Sequence, residues 1–152
     1  MKWAPLNGTM RWFTVAGTAG ALWGFIAAVA FLVTGFQPQN LLVPWGAIAL
    51  SWTLAEGSKH LFNRRRPFIH DTSIAPLIKT PSSSSFPSGH SATAGAGTLS
   101  LSVLYPALAF LLIPAGLLTM ISRIYLGVHY PFDVFVGALI GVTTAAVFLL
   151  VW

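Results

Sequence analysis

WFTVAGTAGALWGFIAAVAFLVTGFQPQNLLVPWGAIALSWTLA, residues 12–55, runs for 44 residues without an Asp, Glu, Lys or Arg. A helical membrane crossing takes about 20 apolar residues, so this stretch is too long for one crossing and long enough for two. The division falls at TGFQPQN, Thr34 to Asn40, where glycine, proline and amide side chains mark a turn. The apolarity is continuous rather than alternating, which argues against the short alternating segments of a membrane β-barrel. The rest of the chain continues the pattern: Thr80 to Ser122 is uncharged and divides at Tyr105-Pro106, and Val134 to Trp152 gives a last uncharged run of 19 residues. With 55% hydrophobic and 7% charged residues, the composition is that of a membrane protein.

The expected fold is therefore all-α, a polytopic transmembrane helix bundle of about five spans in a single domain, 1–152. The spans are placed at 12–34, 41–62, 88–105, 107–124 and 131–152, with Trp12, Trp45 and Trp152 near their ends as interfacial anchors. Lys2 and Arg11 give a basic start, but Trp12 to Val33 exceeds the roughly 7 to 15 apolar residues of a signal peptide, so the first span is read as retained. There is no cysteine, hence neither a disulfide framework nor a thiolate metal site. The serine tract Ser82 to Ser85 reads as a flexible link between spans two and three.

Five spans put every charged residue on one side. Lys2, Arg11, Glu56, Lys59, Arg64, Arg65, Arg66, Asp71, Lys79, Arg123 and Asp133 share it with all four histidines, and the opposite face carries none. Arg64, Arg65 and Lys79 are read as the ordinary basic residues of span ends, a bias that would place this face in the cytoplasm unless some of these cations instead recruit anionic headgroups. Glu56, Lys59, His90, Arg123 and Asp133 differ, because each lies within or against an apolar run. An ionisable group at mid-bilayer costs about 2.5 to 3.5 kcal/mol on insertion scales, less near an interface. Several together approach a domain's whole net stability, which points to use.

Three clusters carry them. In EGSKHLFNRRRP, Glu56 to Pro67, a continuing helix would put Glu56, Lys59, Asn63 and Arg66 on one stripe, with two cations suited to an anion of several oxygens. In FPSGHSATAGAG, Phe86 to Gly97, Pro87 and Ser88 read as a helix start whose free amides can bind an anion, Gly89 allows close approach, and His90 stands in the first turn. In SRIYLGVHYPFD, Ser122 to Asp133, Pro131 opens a helix that places His129 just before it and Asp133 in its first turn, near enough to accept the imidazole N–H. Taken singly, each has a plainer reading: a basic stop, a hydrogen-bonded structural histidine, an interfacial cap with Asp on the helix dipole. The topology brings all three to one membrane face, and the joint inventory is that of phosphoryl transfer. Paired carboxylates for a Mg²⁺ ion are missing.

These residues together resemble the type 2 phosphatidic acid phosphatase superfamily, lipid phosphatases related to the vanadium haloperoxidases. The pattern comprises Lys59, six residues, Arg66-Pro67; Pro87-Ser88-Gly89-His90; and Ser122-Arg123, five residues, His129, three residues, Asp133. The resemblance implies a metal- and cofactor-independent phosphohistidine mechanism. In it His129 attacks phosphorus, Asp133 orients it, and His90 protonates the leaving oxygen and then activates water. Lys59, Arg66, Ser88, Gly89 and Arg123 would hold the phosphoryl oxygens. It further implies a lipid phosphate or pyrophosphate substrate, polyprenyl or glycerolipid, with the bilayer as partner, no nucleic acid, and a place in the cell (inner) membrane, where bacterial relatives generally work at the periplasmic face. Members usually have six spans with the motifs on the third to sixth; here they begin on the second, so one N-terminal helix is expected to be absent. The competing reading is a non-catalytic lipid-phosphate binder on the same scaffold. Glu56 has no assigned role, and residues 66–86 are expected to act as a mobile cover.

Overall fold

The computed structural model describes residues 4–71 and 73–152; Lys2, counted above among the charges of one face, lies outside them. Among the described residues all regular structure is helical. The order is α1 (Ala4–Ala16), a 3₁₀ turn (Thr18–Gly20), α2 (Ala21–Val33), α3 (Pro38–Phe62), α4 (Pro67–His70), α5 (Gly89–Leu104), a second 3₁₀ turn (Pro106–Leu108), α6 (Ala109–Tyr125) and α7 (Pro131–Val151). Proline begins α3 and α7, where its missing N–H would be unpaired in any case.

The expected first span is broken. Ala19 (φ 49°) and Gly20 (φ 79°) adopt left-handed backbone, which interrupts the helical hydrogen-bond ladder, and the helices on either side are bent by 53°. Of the described helices, Pro106–Tyr125 and Pro131–Val151 are each long and apolar enough to cross a membrane, and the bent pair counts as a third if taken as one span. With 25 residues α3 is long enough, but Gln39 and Asn40 at its start and Glu56 and Lys59 near its end dilute its apolarity, whereas α5 has only 16 residues. About five spans is thus a loose count of five helical passages.

α5 sits at the centre, packed on α3, α6 and α7. Its buried stretch Ala92, Thr93, Ala94, Gly95, Ala96, Gly97 is built from small side chains, which lets backbones approach where no hydrophobic force separates helix from lipid. Gly95 faces the Ala138 carbonyl of α7, and Gly141 of α7 faces the Ala92 carbonyl so closely that a Cβ there would overlap it. Trp23 of α2 fills the space beside Gly97, in a core with Ala47, Ile48, Leu101 and Leu112. The outward faces carry Phe25, Leu32, Phe110, Leu117, Phe135 and Leu150, a belt suited to hydrocarbon. At the end of the bundle where α3 stops and α7 starts, Phe62, Phe86 and Phe132 form an aromatic cluster, with ring centroids 4.8 Å and 5.8 Å apart.

Candidate active site

The end of α3, the start of α5, the end of α6 and the start of α7 converge, and α1 joins them. Helix α3 stops at Phe62, and Asn63 turns left-handed (φ 39°, ψ 37°), so the stripe from Glu56 to Arg66 expected from helical spacing does not form. Arg66 is extended before Pro67 (φ −76°, ψ 156°), as a residue preceding proline favours. Its guanidinium folds back into the bundle and donates to the carbonyls of Ser83 (2.9 Å), Ser84 (3.2 Å) and Val128 (3.0 Å). Lys59, on the last turn of α3, is held 2.6 Å from Glu56.

The serine tract is a wall of the site rather than a flexible link or mobile cover. Ser84 Oγ accepts from the Arg64 amide (2.9 Å), the Ser85 amide donates to the Arg64 carbonyl (2.9 Å), and Ser85 is wholly buried. The Ser88 hydroxyl caps α5, accepting from the Ser91 amide (3.3 Å) and hydroxyl (2.9 Å). That cap takes up the Ser91 amide and leaves the Gly89 and His90 amides of the first turn without intrahelical partners. His90, in that turn, lies 3.2 Å from the Thr14 carbonyl through Nε2. Thr14 Oγ1 also accepts from Arg123 (3.1 Å), so α1 ties together the ends of α5 and α6.

After α6 the chain turns through Gly127 (φ 77°) and delivers His129. Its Nδ1 lies 2.7 Å from the Ser85 carbonyl. A carbonyl only accepts, so Nδ1 carries the proton and Nε2 keeps its lone pair. This corrects the expectation that Asp133 takes that N–H: the carboxylate is 3.8 Å from Nδ1. It is instead satisfied by the Ser85 hydroxyl, the Tyr130 amide (2.9 Å) and Arg64 (2.6 Å). Arg64, read from sequence as an ordinary span-end cation, thus neutralises the buried aspartate while stacking 4.3 Å over the Tyr130 ring.

Burial holds the His129 imidazole well below its ordinary range, at about 4; Asp133 opposes this, and Arg123, Arg66 and Lys59 reinforce it. The ring is neutral at pH 7. Burial also lowers Arg66, against the pull of Glu56 and Asp133, though a guanidinium stays charged.

Lys59, Arg66, Gly89, His90, Arg123 and His129 line one cavity of about 240 Å³. Ser88 and Asp133 stand behind it, the first as a helix cap and the second as a buried counter-ion. The three cations are 7%, 2% and 2% exposed for Lys59, Arg66 and Arg123, and Arg123 Nε is buried with no hydrogen-bond partner. Buried cations facing a single lining carboxylate, Glu56, with an unmet donor among them, call for an anion with several acceptor oxygens. Two wider pockets adjoin the cavity. One, of about 520 Å³, shares Trp52, Glu56, Lys59 and Ser83 with it and adds His60 and Asn63. The other, of about 470 Å³, shares Thr18, Pro81, His90 and Arg123 and adds Arg11, Val15, Ile78 and Lys79.

Sequence reasoning missed Arg64, Ser85 and Thr14. The first is hidden in a triple arginine and the second in a serine run. Thr14 has no local signal at all, since its partners lie at Ser122 (2.8 Å), Arg123 and His90.

The chain is 35% identical over 127 residues to decaprenylphosphoryl-5-phosphoribose phosphatase of Mycobacterium tuberculosis, covering 82% of this chain and 68% of that one. Among solved structures, Aquifex aeolicus LpxE superposes with a TM-score of 0.82 at 29% identity, covering 97% of this chain and 87% of that one. The PAP2-type phosphatidylglycerolphosphate phosphatase of Bacillus subtilis superposes with a TM-score of 0.75 at 27% identity, covering 98% and 77%. The model of the PAP2 superfamily matches residues 40–152, the part of the chain that holds every motif residue lining the cavity, and the chain belongs to that superfamily.

Proposed function

We propose that the single domain formed by this chain is a membrane phosphatase that hydrolyses a phosphate monoester or pyrophosphate on a lipid carrier, polyprenyl or glycerolipid, through a phosphohistidine. The observation that carries this reading is the meeting of Lys59, Arg66, His90, Arg123 and His129 in one 240 Å³ cavity, with His129 Nε2 unprotonated. The cations hold the non-bridging oxygens, aided by the amides at the start of α5. His129 Nε2 attacks phosphorus, a P–N bond forms, and the P–O bond to the lipid breaks. His90 gives its proton to the departing oxygen. Its Nε2–H is anchored on the Thr14 carbonyl, so the proton given up sits on Nδ1: His90 acts as an imidazolium, its second proton favoured by the phosphoryl anion in the cavity, and donation leaves the ring neutral. In the second half His90 takes a proton from water, the hydroxide attacks phosphorus, the P–N bond breaks, and inorganic phosphate leaves. Asp133, charged and held by Arg64 and Ser85, stabilises the cationic ring in between.

His90 lines the pocket of Arg11, Val15, Ile78 and Lys79 and is absent from the lining of the pocket on the Trp52 side. The leaving group therefore lies on the Arg11 side. Phosphoryl oxygens are held by side-chain cations, so turnover should persist in EDTA. The test is phosphate release by purified protein from prenyl and glycerolipid phosphates and diphosphates with EDTA present. Release by wild type, and none by a His129→Ala variant with an unchanged melting temperature, is the expected result; full activity in that variant overturns the mechanism.

A further inference from the structure

Glu56 is unused by the reaction above, since neither the nucleophile nor the acid requires it. It is the single carboxylate lining the catalytic cavity, where cations otherwise prevail. Its Oε1 sits 2.6 Å from Lys59 Nζ and rests against Gly89 so closely that any side chain at 89 would collide with it. The carboxylate thus occupies a cation that the phosphoryl group needs, beside the start of α5 where that group is to be held. Its position is also asymmetric. Glu56 lines both the cavity and the 520 Å³ pocket beyond it, with Trp52, Lys59 and Ser83, but not the pocket that His90 shares with Arg11 and Lys79.

We propose that Glu56 is an internal competitor for inorganic phosphate. Its carboxylate takes Lys59 when the cavity is empty, shares it when a phosphoryl group enters, and reclaims it as the product forms, so that phosphate is held weakly and leaves past Trp52. The proposal rests on the phosphatase reading only in taking Lys59 as a phosphate ligand. Two anions on one buried cation repel, and that repulsion acts on substrate and product alike. The lipid substrate is also anchored by its leaving group and by the bilayer; free phosphate has no such anchor, and the repulsion therefore falls chiefly on product release. A Glu56 that merely held Lys59 in place would do the opposite, because losing it would free the ammonium and weaken phosphate binding.

The sign of one measurement separates the two. Inorganic phosphate and orthovanadate are titrated into purified wild type, Glu56→Gln and Glu56→Asp by calorimetry, and product inhibition by phosphate is measured in parallel. Glu56→Gln is expected to bind both anions about tenfold more tightly. Glu56→Asp, too short to rest on Gly89 and hold Lys59 together, should fall between it and wild type, which keeps a test in hand if the glutamine variant folds poorly. Weaker or unchanged binding in these variants overturns the proposal. Tighter binding in a protein that hydrolyses no lipid phosphate would uphold the competitor and sink the phosphatase reading; hydrolysis with weaker binding in the variants would do the reverse.

Discussion

His129 shows how neighbours set the chemistry of one side chain. The Ser85 carbonyl fixes its tautomer, and burial among cations keeps it unprotonated, at about 4. Protonation would consume the Nε2 lone pair, so the acid limb of kcat/KM assigned to this residue is expected near pH 4, with no loss from it between pH 7 and 5; a pH–rate profile of wild type checks this. Linkage gives the matching stability change. The unfolded imidazole, near 6.5, takes its proton before the folded one does, so stability from this group is complete above about 6.5 and declines as pH falls toward 4. Arg64 acts one step further back. Removing it by Arg64→Ala leaves Asp133 its Ser85 and Tyr130 bonds but takes away the cation in direct contact with it. Because Arg64 is itself 39% exposed, the expected cost is modest, about 1 to 2 kcal/mol of stability, with a fall of roughly tenfold in kcat and little change in KM. Chemical denaturation and steady-state kinetics would separate the two effects.

Among the elements, the contact of α5 with α7 decides the geometry, because α5 carries His90 and α7 carries Asp133 and follows His129 directly. Gly141→Val would drive a branched side chain into the Ala92 carbonyl; overpacking of this kind costs roughly 1 to 3 kcal/mol, read as a drop of several degrees in melting temperature in detergent, with activity falling alongside. How far these elements were legible follows from their physics. The starts of α5 and α7 were readable because proline and serine mark them locally, whereas α3 begins at Pro38, inside the stretch that reads as a turn; the three motifs were readable because their residues are costly in an apolar chain. The break between α1 and α2 was not, since glycine and alanine there do not announce a left-handed turn. The fold-back of Arg66 was also invisible: helical spacing alone carried α3 four residues too far, and only the Ser83, Ser84 and Val128 carbonyls, distant in sequence, explain where the guanidinium goes. The serine tract looked mobile because its composition is that of a linker, whereas the hydrogen bonds that tie it to Arg64, Arg66, His129 and Asp133 come from residues distant in sequence.

Taken whole, the molecule gathers its described charges at one end of an apolar bundle. Its lack of cysteine makes this easy to examine: single cysteines at Gln37→Cys, in the connection between α2 and α3, and at Ser73→Cys, between α4 and α5, are both exposed and should react with an impermeant maleimide from opposite sides of a sealed vesicle. Labelling of both from the same side would contradict the topology. The aromatic cluster of Phe62, Phe86 and Phe132 beside Arg64 carries the outward apolar belt up to the level of the charged groups. For the proposed reaction, a substrate can then keep its tail dissolved in the leaflet and arrive by lateral diffusion, never crossing water. Encounter becomes a two-dimensional event: in mixed micelles the rate should follow the mole fraction of substrate, and diluting it with inert detergent at constant total concentration should slow the enzyme.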